Sequence, residues 1–256
     1  MTINQQAIAF NVLFIREVHR IFRIWRQTIL PPLVTQSLYF AIFGGVIGSQ
    51  IKGGATKYTA FLVPGIIFMA AITSAYTSNA FTIFSLKFQR NIEEIIVSPT
   101  PNWVVIAAYT AAAIFRGFLT AILILIVSLF FVPINISNIP LAILTLFLSS
   151  LLFAGLGVLN ALYSKTFDDV STIPVFVLTP LTYLGGVFYD IKTLQEPFKS
   201  ISEYNPIVYM VDLFRSTFNS PANYNPILSL SLITVITIII FTVVLWLWHK
   251  GIGIKN

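Results

Sequence analysis

From Ile139 to Tyr163 the chain reads IPLAILTLFLSSLLFAGLGVLNALY, without one charged side chain, and Pro226 to Trp248 is equally bare of charge. About 20 apolar residues in an α-helix cross the hydrocarbon core of a bilayer. Lipid offers no hydrogen-bond partners, so a spanning segment has to satisfy its backbone internally, as a helix does. Six apolar runs occur, at about 28–48, 59–83, 104–132, 139–163, 170–189 and 226–248. A soluble domain covers itself with about 25% charged residues. This chain has 9%, with 57% hydrophobic residues and a mean hydropathy of +0.87. The sequence therefore predicts an all-α polytopic membrane protein with six transmembrane helices, a single domain over residues 1–256.

Orientation follows from lysine and arginine in the connections. With the N-terminus in the cytoplasm, the inner side holds Arg16, Arg20, Arg23, Arg26, Lys87, Arg90, Lys165, Lys250 and Lys255. The outer side holds Lys52, Lys57, Lys192, Lys199 and Arg215, the last three among balancing acids. Both termini are expected in the cytoplasm. The net charge of +6 comes from these flanks and forms no solvated basic face, so no nucleic-acid partner is expected. The apolar run after Arg26 is too long for the core of a cleaved signal, and is expected to remain as an anchor.

Residues 5–26 precede the first run. Phe14, Val18, Ile21 and Trp25 recur at helical spacing, and Arg16, Arg20, Arg23 and Arg26 recur on another face. This pattern predicts an amphipathic helix in the membrane interface, its cations near anionic headgroups. An extension of the first span and a helix packed on another protein fit the same pattern. Leu30-Pro31-Pro32 then suits the first turn of a new helix.

Two small-residue pairs at spacing four, Gly44 with Gly48 and Gly157 with Ala161, let helices approach closely, inside one bundle or between two copies. Residues 190–225 are charged yet contain NPIVYMVDLFRSTF, with Ile207, Met210, Phe214 and Phe218 on one face. Asp212 and Arg215 stand three apart, able to pair. A short re-entrant extracellular helical segment is expected here, with a plain surface loop as the alternative. Asp168 and Asp169 are placed to cap the fifth run. Arg116, the one charge inside an apolar run, either snorkels to headgroups or meets an anion in a substrate path.

Catalytic chemistry is missing. Cysteine is absent, histidine occurs twice, and no ligand set for a metal is visible. No G-x-x-x-x-G-K-[ST] loop is present, so no ATP site is expected on this chain. No carboxylate lies well inside a run, where an ion-driven carrier usually keeps one.

Between the second and third runs stands FQRNIEEIIVSPTP, Phe88 to Pro101, with Lys87, Arg90, Glu93 and Glu94 close together. Charges at this density cost about 2.5–3.5 kcal/mol each at a membrane helix centre, which places the segment in water. By itself it is a solvated loop or a partner contact. FQRNIEEIIVSPTPNW, YSKTFDDVSTIPVFVLTPLTYLGGVFY and EYNPIVYMVDLFRSTF, in this order, resemble the ABC-2 type permeases, the membrane subunits of ATP-driven exporters of drugs, glycolipids and polysaccharides. Asn91-Ile92 stands where many members carry Gly-Thr.

The resemblance implies an ATP-binding cassette exporter permease in the cell inner membrane, moving an amphipathic substrate. It implies that residues 84–101 are a cytoplasmic coupling helix seated on a separate P-loop ATPase subunit. Arg90, Glu93, Glu94 and Ile95 would supply the grip, and Pro99 would stiffen the exit. ATP and Mg would belong to that subunit, with no cofactor on this chain. Arg16, Arg20, Arg23 and Trp25 are the candidate interfacial-helix residues. A second copy would form a homodimer, with Gly44 and Gly48 as candidate packing positions. Phe40, Phe43, Phe68, Arg116, Phe176 and Tyr183 are candidates for the substrate path. An ion-gradient-driven secondary transporter and a non-transporting scaffold are the competing readings.

Overall fold

The computed structural model describes residues 1–47 and 55–253, which form helices and connecting loops with no strand among them. The chain opens with α1 (Ile3–Arg23), closed at its start by a capping box between Thr2 and Gln5. A break at Ile24 separates it from α2 (Trp25–Thr28) and α3 (Leu30–Tyr39), and Phe40–Ile47 continues α3 in a wider π-helical winding. Then come α4 (Ala55–Phe88), the short α5 (Asn91–Val97), α6 (Asn102–Ser128) and α7 (Ile139–Tyr163). α8 (Phe167–Ile173) passes through a π-helical stretch, Pro174–Leu178, into α9 (Thr179–Tyr183). α10 (Phe198–Glu203), α11 (Pro206–Ser216) and α12 (Pro226–Lys250) complete it. The last two start alike: Asn205 and Asn225 accept the amides of Ile207 and Ile227, and a proline fills the first helical position.

Four of these helices are long and apolar enough to cross a membrane: Thr56–Phe88, Asn102–Ser128, Ile139–Tyr163 and Pro226–Lys250. α4 is the central stave. Its 34 residues reach about 50 Å, well beyond the hydrocarbon core. It packs chiefly on α7 and α6, while α12 lies outside against α7 and α11. Polar side chains tie the staves. Asn79 donates to the Ala154 carbonyl at 3.1 Å and to the Thr110 hydroxyl at 3.3 Å, and Thr120 donates to Ser74 at 3.1 Å. Such bonds contribute about 0.6–2 kcal/mol each between membrane helices.

The first and fifth apolar runs form divided helices, a correction to the expectation of six uniform staves. Proline explains the fifth. Pro174 has no amide to give Val170, so that carbonyl is orphaned. Asn160 on α7 donates to it at 2.9 Å. Thr179 then donates to the Pro174 carbonyl from both backbone and hydroxyl, which produces the wider turn. The helix stops at Tyr183 rather than 189, because Gly186 turns the chain at φ +73°.

Within 190–225 the expected apolar face of α11 is present, since Ile207, Met210 and Phe214 are all buried. Burial goes further, to Val208, Val211 and Leu213, so α11 is enclosed on most sides rather than lying on a surface. The expected Asp212–Arg215 pair does not form. Asp212 accepts the amides of Asn223 and Tyr224 at 2.9–3.1 Å and so closes the turn before α12. Arg215 instead donates to the carbonyls of Gly186 and Val187 and lies over the Phe61 ring. Backbone groups orphaned by turns outcompete the neighbouring side chain for each charge.

Candidate functional site

The segment between α4 and α6 is built as a turn, a seven-residue helix and a stiff exit. Lys87, at the end of α4, donates to the carbonyls of Leu162 and Ser164 at 3.0 and 2.8 Å, which pins it to the C-terminus of α7. Arg90 takes a left-handed conformation, φ 60°, and reverses the chain into α5. The positive φ thus falls one residue before the Asn91-Ile92 departure from the family pattern. Ile92 is 1% exposed and anchors α5 on the core, and Ile95 is partly buried. Arg90, Glu93 and Glu94 face out, Pro99 is exposed, and Val97 is 85% exposed. α5 ends at Ser98, whose hydroxyl donates to the Ile95 carbonyl at 2.7 Å. The helix proper, 91–97, is shorter than 84–101, because 84–88 belong to α4.

Beside this foot, Phe84, Phe88 and Phe167 cluster with centroids 4.8–6.1 Å apart, Phe167 edge-on to the other two rings, linking α4 to the start of α8. There Asp169 accepts the backbone amides of Lys165 and Thr166 at 2.9 Å, as expected of a cap, while Asp168 stands exposed in the same first turn. These two amides, Lys165 first, hold the Asp169 carboxyl below the usual carboxylate range. Its capping contribution is therefore complete above the ordinary carboxylate pKa and is lost only as pH falls through the lowered value. Asp169→Ala is expected to speed amide exchange at residues 165–170 severalfold at neutral pH. Unchanged protection there would show that the cap does not hold the helix start.

The arginine row of α1 divides between the protein and solvent. Arg16 bonds the Tyr109 hydroxyl, and Arg20 bonds Thr82 and pairs with Glu17 at 2.8 Å. Arg23 and Arg26 are exposed, as is Trp25. Ile21 is buried, and Phe14 and Val18 are partly buried. The apolar face does not continue to Trp25, because the helix breaks at Ile24, where Thr28 donates to the Ile21 and Ile24 carbonyls.

Between α1–α3 on one side and α4 and α6 on the other lies a cavity of about 610 Å³, lined by Arg20, Thr28, Gln36, Thr77, Ser78 and Arg116 among others. Arg116 lines this cavity apart from the aromatic candidates, and one of its nitrogens donates to the Thr28 carbonyl at 3.1 Å. The other candidate path residues divide into separate environments. Phe40 packs on Phe131 and Phe68 on Phe214, both fully enclosed. Phe43 and Tyr183 meet around Phe188, with centroids at 5.1 and 5.2 Å, and Tyr183 shares a hydrogen bond with Tyr39 at 2.7 Å. Phe176 is 73% exposed on the π-helical stretch. Gly44 lies in the first π-helical stretch, and Gly48 lies outside the described residues.

Sequence reasoning missed Glu17, Tyr109, Asn79 and Asn160. The two asparagines carried a readable signal, an amide inside an apolar run. Glu17 and Tyr109 did not, since their roles depend on how α1 docks on α6.

An ABC-2 type transporter family model matches residues 8–219. The inner membrane transport permease YadH of Escherichia coli (strain K12) is 44% identical over 251 residues, 97% of this chain and 98% of that permease. Nodulation protein J of Bradyrhizobium diazoefficiens is 26% identical over 199 residues, 75% of each chain. The polysialic acid transport protein KpsM of Escherichia coli is 23% identical over 220 residues, 82% of this chain and 81% of KpsM. With the family model covering most of its length and a permease alike from end to end, this chain belongs to the ABC-2 type transporter family, as a transport permease.

Proposed function

We propose that the chain is the inner-membrane subunit of an ATP-driven exporter, a single domain over 1–256 that works as a homodimer on two separate P-loop ATPase subunits. ATP and Mg are held by those subunits, and this chain supplies the moving path. In this reading α3 with its π-helical continuation, and α8 through α9, are the first and fifth of six spans. Both termini are cytoplasmic, α1 lies in the inner interface, and residues 190–225 form a re-entrant cap on the outer side. The excess of lysine and arginine in alternate connections supports that orientation. The cargo is an amphipathic substrate of the drug, lipid-linked or polysaccharide type, and one relative is named for the transport of a polysaccharide, polysialic acid.

The observation that carries the coupling role is the build of α5. A seven-residue helix fixed to the core by Ile92 presents Arg90, Glu93, Glu94 and Val97 outward, between the two helices most able to transmit its displacement. A partner surface gripping those four residues would move α4 and α6 together.

The test is co-purification with a candidate P-loop ATPase subunit, in lipid, followed by ATP hydrolysis with and without the permease. Glu93→Arg with Glu94→Arg is expected to reduce coupling about tenfold, or about 1.4 kcal/mol of contact energy. Unaltered assembly and turnover would remove the assignment. Orientation is checked separately. The chain has no cysteine, so a Glu94→Cys variant offers a single thiol. A membrane-impermeant maleimide is expected to label it only from the cytoplasmic side.

A further inference from the structure

We infer that the cavity between α1–α3 and the α4–α6 pair binds a phosphoryl group, one per copy of the chain. The inference rests on that cavity alone and not on the coupling role of α5, so the two can fail separately.

Charge is the first argument. Arg20 and Arg116 line the cavity, and Glu17, beside Arg20, is the one carboxylate set against them. Glu17 is committed to Arg20 at 2.8 Å, with Arg16 at 3.7 Å. Among the described residues no carboxylate lies within 4.0 Å of Arg116. The bond that its guanidinium donates to the neutral Thr28 carbonyl leaves its charge uncompensated. A guanidinium taken out of water without an anion is costly.

Unmet polar atoms are the second argument. Arg116 Nε is buried without a hydrogen-bond partner. Gln36, 5% exposed on the facing wall, likewise has a buried amide oxygen with no partner, and a half-turn of that amide presents its NH2 donor to the same space. Buried polar groups in native structures are paired with few exceptions, so two orphans on one cavity point to a missing ligand.

The kind of ligand follows from the donors. The planar fork of an arginine matches a phosphate in a bidentate way. Thr35, Thr73 and Ser78 add hydroxyls around the same space. Several donors with a net positive charge suit a tetrahedral oxyanion better than a single carboxylate. Ile24, Met69 and Phe81 form an apolar remainder of the wall, which suits the neck of an amphiphile. The phosphoryl group is carried by a lipid-like molecule or enters as the free anion, and one experiment separates these sources.

The full chain, purified in detergent without nucleotide, is titrated with dihexanoyl phosphatidylglycerol, with neutral dihexanoylglycerol and with inorganic phosphate, and read by native mass spectrometry. One phosphatidylglycerol per chain is expected, at least tenfold tighter than dihexanoylglycerol. Arg116→Gln is expected to weaken it tenfold or more, Arg116→Lys to keep most of the affinity, and the remote charge loss Lys192→Gln to change nothing. Thr77→Phe fills the cavity from α4 and leaves every arginine in place. It is expected to give the same loss, and keeps the test decisive where Arg116→Gln does not fold. Displacement of the lipid by inorganic phosphate at equal concentration assigns the site to the free anion. Failure to displace it assigns the site to a lipid-borne group. Equal binding of the two lipids, or full affinity in Thr77→Phe, overturns the inference and leaves Arg116 as a tether for Thr28.

Discussion

Replacing Arg215 with alanine is expected to lower the apparent unfolding temperature of the purified chain by about 10 °C. Arg215 is 6% exposed and holds the turn after α9 to α11. One of its terminal nitrogens donates to the Gly186 carbonyl at 2.8 Å and to the Val187 carbonyl at 3.2 Å. Its guanidinium carbon lies 3.9 Å from the centroid of the Phe61 ring on α4. Truncation leaves two buried carbonyls without a donor, at about 1–3 kcal/mol each. It also removes a desolvated cation–π contact worth up to about 2 kcal/mol. The combined loss is about 2–8 kcal/mol, with about 10 °C corresponding to the lower middle of that range, since a chain of this size shifts by about 2–4 °C per kcal/mol. Arg215→Lys keeps the charge but not the planar stack, so it should recover less than half of the loss. A fluorescence-monitored thermal scan in detergent reads all three proteins. An alanine variant within about 2 °C of the wild type would mean that the turn is held by other contacts.

The fate of Arg215 also marks where sequence reading stops. Asp212 and Arg215 stand three apart on a helix, and local spacing favours a pair. The structure spends each charge on backbone groups exposed by distant turns, which no local rule reports. What the sequence discloses well is what depends on composition over a long window. The charge-free stretches of α7 and α12 and the polar break around α5 are visible because each charge in lipid is so unfavourable. The divided helices are half visible. Pro174 announces an interruption, but its repair by Asn160 requires α7 to lie alongside, which is tertiary information. The candidate path fared differently again. Phe40 and Phe68 are spent on packing, and Arg116 faces a cavity of another kind. Helix rotation decides which aromatic faces inward, and a run apolar on all sides carries no signal of its own rotation. The foot was legible because its residues are charged, and Ile92 was missed as its anchor because it is one of four isoleucine or valine positions in a row of seven.

Gly157 provides the second large effect, in a direction opposed to intrinsic propensity. Alanine is favoured over glycine within a helix by about 1 kcal/mol, so propensity alone makes Gly157→Ala stabilising. The contact geometry reverses the sign. A methyl group at Gly157 would stand 2.4 Å from the Tyr76 carbonyl oxygen and 3.1 Å from the Ala80 nitrogen, both backbone atoms of α4. Backbone in the middle of a helix cannot swing aside, so α4 and α7 would have to separate. That separation would stretch the Asn79–Ala154 bond and open the most extensive helix contact among the described residues. Overpacking of this kind costs about 1–3 kcal/mol or more. Gly155 is an internal control, two residues away on the same helix. There an added methyl meets side-chain atoms of Ile240 and Phe241 on α12 at 2.9–3.0 Å, and side chains can rotate. Gly157→Ala is expected to lower the unfolding temperature by several degrees, and Gly155→Ala by less than half as much. The pair also decides what the Gly157–Ala161 spacing is for. A contact between two copies would show as altered oligomeric state with unchanged stability of the single chain. The structure assigns it to the α4–α7 contact, so the stability should fall while the oligomeric state stays the same. Equal thermal shifts in the two variants would contradict the close approach of these helices.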